Sequence, residues 1–203
     1  MDARIAGIVF AAGRSSRMGF NKLIADLCGM PVLAHVLVKV CSIDSLDPKI
    51  LVVGFEHDRV LSAAKNYGLE KFKVAINREY ERGLSTSMRK ALELAMNVDA
   101  FMFIHGDMPL IKAETIERLA SLYMEREPLI LIPRYMGTRG SPVIVSSALR
   151  EELSRIEGDI GARALFGKYR ERITYVDVDD EYILFDIDTP EDLKQARSLC
   201  SQS

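Results

Sequence analysis

Three stretches of this chain combine residue types and spacings that could do chemistry. The first is Ala11-Ala12-Gly13-Arg14-Ser15-Ser16-Arg17-Met18-Gly19-Phe20-Asn21-Lys22, where small residues allow close backbone approach and Arg17 and Lys22 bring positive charge. Bare backbone N–H groups and charge-assisted hydrogen bonds from Arg and Lys make a cradle for phosphate oxygens, although a solvated Gly/Ser turn has the same composition. The spacing is neither that of a Walker loop, which needs adjacent Gly-Lys-Ser/Thr, nor that of the three-glycine dinucleotide fingerprint. The second stretch is His105-Gly106-Asp107-Met108-Pro109, directly after the apolar run Phe101-Met102-Phe103-Ile104. It sets a carboxylate just past the carboxyl end of a buried strand, where open α/β sheets bind ligands; an Asp in such a turn also serves as a helix cap. The third is Phe185-Asp186-Ile187-Asp188-Thr189-Pro190-Glu191-Asp192. Strand alternation turns Asp186 and Asp188 to one side, while Asp188 or Thr189 can also cap the helix that Pro190 opens.

Holding these stretches together requires a sheet. Short apolar, β-branched runs predict strands at residues 5–10, 49–53, 73–76, 100–105 and 129–133, and apolar residues three and four apart predict helices at 31–41, 56–66, 85–96 and 112–124. This βαβα rhythm implies a mostly parallel sheet covered by helices on both faces. After Pro133 the rhythm changes, with strands expected at 142–145, 174–178 and 183–187 and helices near 147–156 and from 190 onward, so the sheet becomes partly mixed. No linker or repeat divides residues 1–203, which predicts one α/β domain, a Rossmann-like three-layer α/β/α sandwich, with residues 200–203 frayed. A net charge of −2 offers no bulk attraction to nucleic acid or an anionic membrane. The three cysteines have no paired metal-type spacing, which predicts reduced thiols and no zinc site. With no apolar run of signal-peptide or membrane-spanning length, the expectation is a soluble, cytoplasmic protein.

The first stretch resembles the AAG-x-S-x-RMG-x-x-K signature of the nucleotidyltransferases that make nucleotide sugars and related compounds, and matches it at every fixed position. The segment Asn77 to Ser87 follows N-x-x-x-x-x-G-x-S-x-S, and Arg139-Gly140-Ser141-Pro142-Val143 and Gly158-Asp159-Ile160-Gly161-Ala162-Arg163 extend the likeness. Together they are similar to the molybdenum-cofactor cytidylyltransferase branch of the MobA-like NTP transferase family, which has the nucleotide-diphospho-sugar transferase fold. The resemblance implies that Ala11, Ala12, Gly13, Arg14, Ser15, Arg17, Lys22, Asn77, Gly83, Ser85 and Ser87 hold a nucleoside triphosphate. It implies Mg²⁺ on Asp107 with Asp188, Asp186 being close behind, and a phosphorylated acceptor near Arg139, Gly140, Ser141, Pro142 and Asp159. Residues 1–110 would then bind the triphosphate and 111–198 the acceptor. Ala12, where related guanylyltransferases carry Gly, favours CTP. Ser141 departs from the branch's usual RGHPV pattern.

The implied reaction transfers CMP from CTP to molybdopterin-type cofactor with release of pyrophosphate, and a molybdoenzyme or its chaperone would be a fitting protein partner. Arg17, Lys22 and Asp107 are its expected catalytic residues, with charge and positioning doing the work. His35, His57 and His105 lack partners in the sequence and are assigned no chemistry. Two other readings stay open: a nucleotidyltransferase for a sugar or alcohol phosphate, and a sensor or chaperone that binds nucleotide or pterin without turnover.

Overall fold

The protein is described from a computed structural model covering residues 3–200, apart from the side chain of Cys200. Residues 201–203, on which most of the expected fraying falls, lie outside the described residues. The strands are β1 (Ile5–Ala11), β2 (Asp26–Leu27), β3 (Met30–Pro31), β4 (Leu46–Val53), β5 (Phe72–Ile76), β6 (Ala100–His105), β7 (Ile130–Tyr135), β8 (Thr138–Arg139), β9 (Val143–Ser146) and β10 (Ile173–Asp177). The α-helices are α1 (Val32–Cys41), α2 (His57–Ala64), α3 (Leu84–Leu94), α4 (Ala113–Arg126), α5 (Arg150–Ser154) and α6 (Pro190–Cys200).

The main sheet runs β10-β7-β9-β6-β1-β4-β5, with β8 paired to β7. Its centre is parallel, β1 lying between β4 and β6, and β9 enters antiparallel to both β6 and β7. The expected mixed, mostly parallel sheet is therefore present, its reversal confined to β9 and the short β8. Strand alternation divides the core. Ile5, Val9 and Leu51 meet α1, α2 and α4 on one face, while Ile8, Phe10 and Phe101 meet α3 and α5 on the other. From β1 the chain proceeds outward to β4 and β5, then returns to start β6 on the opposite side. The β1–β6 gap is thus the topological switch point, where open sheets leave a crevice at the carboxyl ends of the strands. A third cluster of Met18, Leu27, Val32, Ile187, Leu193 and Ala196 packs α6 and the segment before it against that end.

Two expectations need correction. Residues 183–187 are not a strand: Glu181–Leu184 form a 3-10 turn capped by Asp180, whose side chain accepts from Tyr182 N at 3.1 Å. The apolar alternation there reflects Ile183 entering the core, with its carbonyl accepting from Ser141 N at 2.9 Å. The thiols are not all reduced either. Cys41 is free and buried, but Cys28 is disulfide-bonded. Spacing gave no hint of this because the β2–β3 turn carrying Cys28 is clamped by the other end of the chain, Arg197 donating to Asp26 O at 2.7 and 3.1 Å. Among the described residues, no helix is long and apolar enough to cross a membrane.

Candidate active site

The loop after β1 is braced before it carries any charge into the crevice. Ala12 O accepts from Phe55 N at 3.1 Å, and the β4–α2 turn lies so close that a Cβ on Gly54 would sit 2.9 Å from Ala12 O. Ser15 adopts φ +54°, Met18 N closes the turn onto Ser15 O at 2.9 Å, and Lys22 N donates to Ser15 Oγ at 3.1 Å. Asn21 then caps the single 3-10 turn Lys22–Ile24, accepting from Leu23 N at 3.1 Å. This succession of local hydrogen bonds turns Lys22 inward, its side chain only 11% exposed.

Lys22 meets carboxylates from two distant segments. Its Nζ lies 2.6 Å from Asp107 Oδ2 and 2.7 Å from Asp188 Oδ1, while Arg17 Nη2 lies 2.6 Å from Asp188 Oδ2. Asp107 does not cap α4, because Lys112 N at that helix start donates to Asp180 Oδ2 at 3.0 Å. Nor does the Asp188 side chain cap α6. Thr189 and Asp192 cap it reciprocally, Asp192 N donating to Thr189 Oγ1 and Thr189 N to Asp192 Oδ2. Both carboxylates are thus left free for the crevice, and Ile187 N donating to Asp107 O at 2.9 Å ties their segments together. Asp186 joins them: oxygen atoms of Asp107, Asp186 and Asp188 lie within 4.8 Å of one another.

The electrostatics separate the three acids. Burial resists ionisation of Asp188, but hydrogen bonds and charge from Lys22 and Arg17 outweigh it and hold this carboxyl below its usual range. Burial, then the charges of Asp188 and Asp107, push Asp186 above it. Burial also opposes the Lys22 ammonium, yet Asp107 and Asp188 raise its pKa above the ordinary value. Asp107 Oδ1 is buried without a hydrogen-bond partner. An orphaned carboxylate oxygen among hard oxygen donors fits a divalent cation such as Mg²⁺.

Beside the three acids opens a cleft of about 610 Å³. Of the expected triphosphate residues, Ala12, Gly13, Arg17, Gly83 and Ser87 line it, and Ala11, Ser15 and Lys22 line the adjoining recess around Asp107. Arg14 pairs with Glu81 at 2.9 Å. Asn77 is fully buried, and its side-chain amide donates to Thr86 Oγ1 and Ser87 Oγ at 2.8 and 2.9 Å, so it builds the start of α3. Ser85 is buried too, its N–H donating to Gly158 O at 3.0 Å.

On the opposite wall the expected residues divide. Ser141 and Asp159 line the cleft, and Asp159 Oδ1 also accepts from Leu84 N at 3.0 Å, capping α3. Arg139 lies outside the lining, its guanidinium 6.0 Å from the Tyr175 ring that Arg134 also covers, and Gly140 and Pro142 lie outside it as well. Arg163, which the sequence offers with Arg134 as an acceptor-binding arginine ranked behind Arg139, lines the cleft instead, its side chain without a hydrogen-bond or ion-pair partner among the described residues, and so does His105, which the sequence assigned no role and which is tilted against Phe10. Arg163 ends the Gly158–Arg163 pattern, and His105 shares a side with Asp107 by alternation; neither signal was sufficient alone.

The chain is similar in sequence and fold to known proteins. The chain is 27% identical to molybdenum cofactor cytidylyltransferase of Escherichia coli K12 over 94% of both chains. It is 27% identical to the purine catabolism protein PucB of Bacillus subtilis 168 over 97% of this chain and 98% of the relative. A 32% match to the bifunctional protein GlmU of Psychrobacter covers 59% of this chain but spans only about a quarter, 26%, of that relative's length. The structure of Rv0371c from Mycobacterium tuberculosis H37Rv superposes with a TM-score of 0.85 at 28% identity, covering 98% of this chain and 99% of that one. A second Rv0371c structure, a complex with manganese, superposes at 0.79 with 25% identity over 96% and 98% of the two chains. The MobA-like NTP transferase domain model matches residues 7–173, more than three quarters of the chain, and the chain belongs to that family.

Proposed function

We propose that this protein is a metal-dependent nucleotidyltransferase that transfers CMP from CTP to a molybdopterin-type cofactor. The observation that carries the reading is the meeting of Lys22, Arg17, Asp107 and Asp188 at the sheet's switch point, with one buried carboxylate oxygen unsatisfied. Full-length similarity to a molybdenum cofactor cytidylyltransferase supports the acceptor, and Ala12 supports CTP. The reading divides the domain into residues 1–110 for the triphosphate and 111–198 for the acceptor, and places the protein in the cytoplasm, where nucleoside triphosphates are available.

Asp107, Asp188 and Asp186 would hold Mg²⁺, and a manganese complex of a relative supports a divalent ion of this kind. When bound, the ion would supply Lewis-acid polarisation of an α-phosphate oxygen. The loop amides from Ala12 to Ser15, with Arg17 and Lys22, grip the β- and γ-phosphates and stabilise charge gathering on the departing pyrophosphate. An acceptor phosphate oxygen attacks the α-phosphorus, a new P–O bond forms, and the bridging bond to the β-phosphate breaks. Because a phosphate monoester is largely dianionic near neutral pH, no protein base has to take a proton. Arg163 and His105, which line the same cleft as Ser141, take the anion-binding part expected of Arg139.

The test is pyrophosphate release with Mg²⁺, each of the four nucleoside triphosphates in turn, and either molybdopterin cofactor or a panel of sugar phosphates. Release with CTP and the pterin alone is the expected result. Similarity to GlmU favours a second reading, a sugar-phosphate nucleotidyltransferase, and release with a sugar phosphate would replace the first with it.

A further inference from the structure

Lys22 stands where a cation is wanted. Its ammonium is 2.6 Å from Asp107 and 2.7 Å from Asp188, two of the three acids that would hold the metal, and its side chain is nearly covered. Three carboxylates share this space with two cationic side chains, and Arg17, 67% exposed, reaches only Asp188. Asp186 has no ion pair of its own among the described residues. A divalent ion placed on Asp107 and Asp188 would compete for the oxygens that Lys22 holds and would repel the ammonium at short range. In the proposed reaction the same ammonium is also needed on the triphosphate that the loop carrying Lys22 would bind. A lysine suits such an exchange, since it is a compact charge with three donors on a flexible stem.

We propose that Lys22 is an internal counter-cation that keeps divalent metal off the carboxylates until a triphosphate arrives. In the free protein Lys22 bridges Asp107 and Asp188 and holds metal affinity down. The triphosphate then draws the ammonium onto its own oxygens, and the metal takes the vacated carboxylates. Metal and nucleotide therefore bind cooperatively, each weak without the other. This rests on the reading that these acids hold the metal, and the test separates the two.

The experiment is titration of the full chain with Mn²⁺ alone, free ion being read from its electron paramagnetic resonance signal, for the wild type, Lys22→Met and Asp107→Asn. Lys22→Met is expected to bind Mn²⁺ roughly tenfold more tightly than the wild type without nucleotide, and to lose the gain in Mn²⁺ affinity that CTP confers on the wild type. Equal or weaker Mn²⁺ binding by Lys22→Met, with Asp107→Asn still impaired, would overturn the exchange while leaving the metal site standing. Mn²⁺ binding indifferent to Asp107→Asn would remove the metal site and the exchange with it. Should Lys22→Met fail to fold by circular dichroism, labelling of Lys22 in the wild type by an amine-reactive reagent, read by mass spectrometry, decides. Labelling should rise at saturating Mn²⁺ and fall again when CTP is added; labelling that Mn²⁺ leaves unchanged overturns the proposal.

Discussion

On the loop side of the cleft each charged side chain has a partner: Arg14 with Glu81, Arg17 with Asp188, and Lys22 with both Asp107 and Asp188. On the opposite side Arg163 stands without one among the described residues, Ile160 is 54% exposed, and the backbone is carried by Gly158 and Gly161, both at positive φ. The first wall is organised before any ligand arrives, as electrostatic stabilisation of a recurring charge pattern requires. The second spends Asp159 on the start of α3 but leaves Arg163 uncommitted, which suits an acceptor pocket that differs from one family member to another. In the proposed reaction the triphosphate chemistry is built in, and the choice of acceptor is layered on top.

The largest effect that would sharpen this contrast is on the organised wall. Asp107→Ala is expected to lower kcat by about 10³-fold while far-ultraviolet circular dichroism stays unchanged, since a carboxylate that would hold the ion polarising the α-phosphate is lost. Turnover close to wild type would break the contrast at its strongest point. Asn77→Ala comes next: it strips a fully buried amide from Thr86, Ser87 and Glu79 N, and should cost about 2–3 kcal/mol in denaturant unfolding. Unchanged stability together with lost CTP affinity would turn Asn77 from a brace into a direct ligand. On the open wall, Arg163→Ala should raise the acceptor KM by about tenfold and leave the CTP KM alone, the size of one charge-assisted hydrogen bond. Arg139→Ala should change either KM by less than about twofold, as a surface charge does. Reversed results for the two arginines would return the acceptor grip to Arg139.

How much of this could be read from the residues follows from how local each cause is. Strands β1, β4 and β6 were legible because their burial on both faces demands near-continuous apolar runs, whereas the half-exposed edge strand β5 was legible from its β-branched residues alone. The loop was legible because backbone approach and phosphate charge restrict residue choice within twelve consecutive positions. The carboxylates Asp107, Asp186 and Asp188 do lie together, yet the strand expected to align the last two is absent; Asp180, Thr189 and Asp192 position that segment through hydrogen bonds. Nothing local reveals that Asp159 caps a helix beginning at Leu84, that Arg163 reaches the cleft while Arg139 turns to Tyr175, or that Cys28 finds another sulfur. Each depends on segments far apart in sequence being packed side by side.

The hydrogen bond from Ile187 N to Asp107 O joins residues on opposite sides of residue 173, where the match to the family's domain model ends. A fragment cut there would keep the phosphate loop, all ten strands' worth of sheet but the last, and Asp107. It would lose Asp186, Asp188 and the Asp180 carboxylate that secures the start of α4. The stretch that the domain model matches is therefore shorter than the stretch that gathers the three carboxylates, and the segment from Asp180 to Asp192, though outside it, closes that cluster like a clasp.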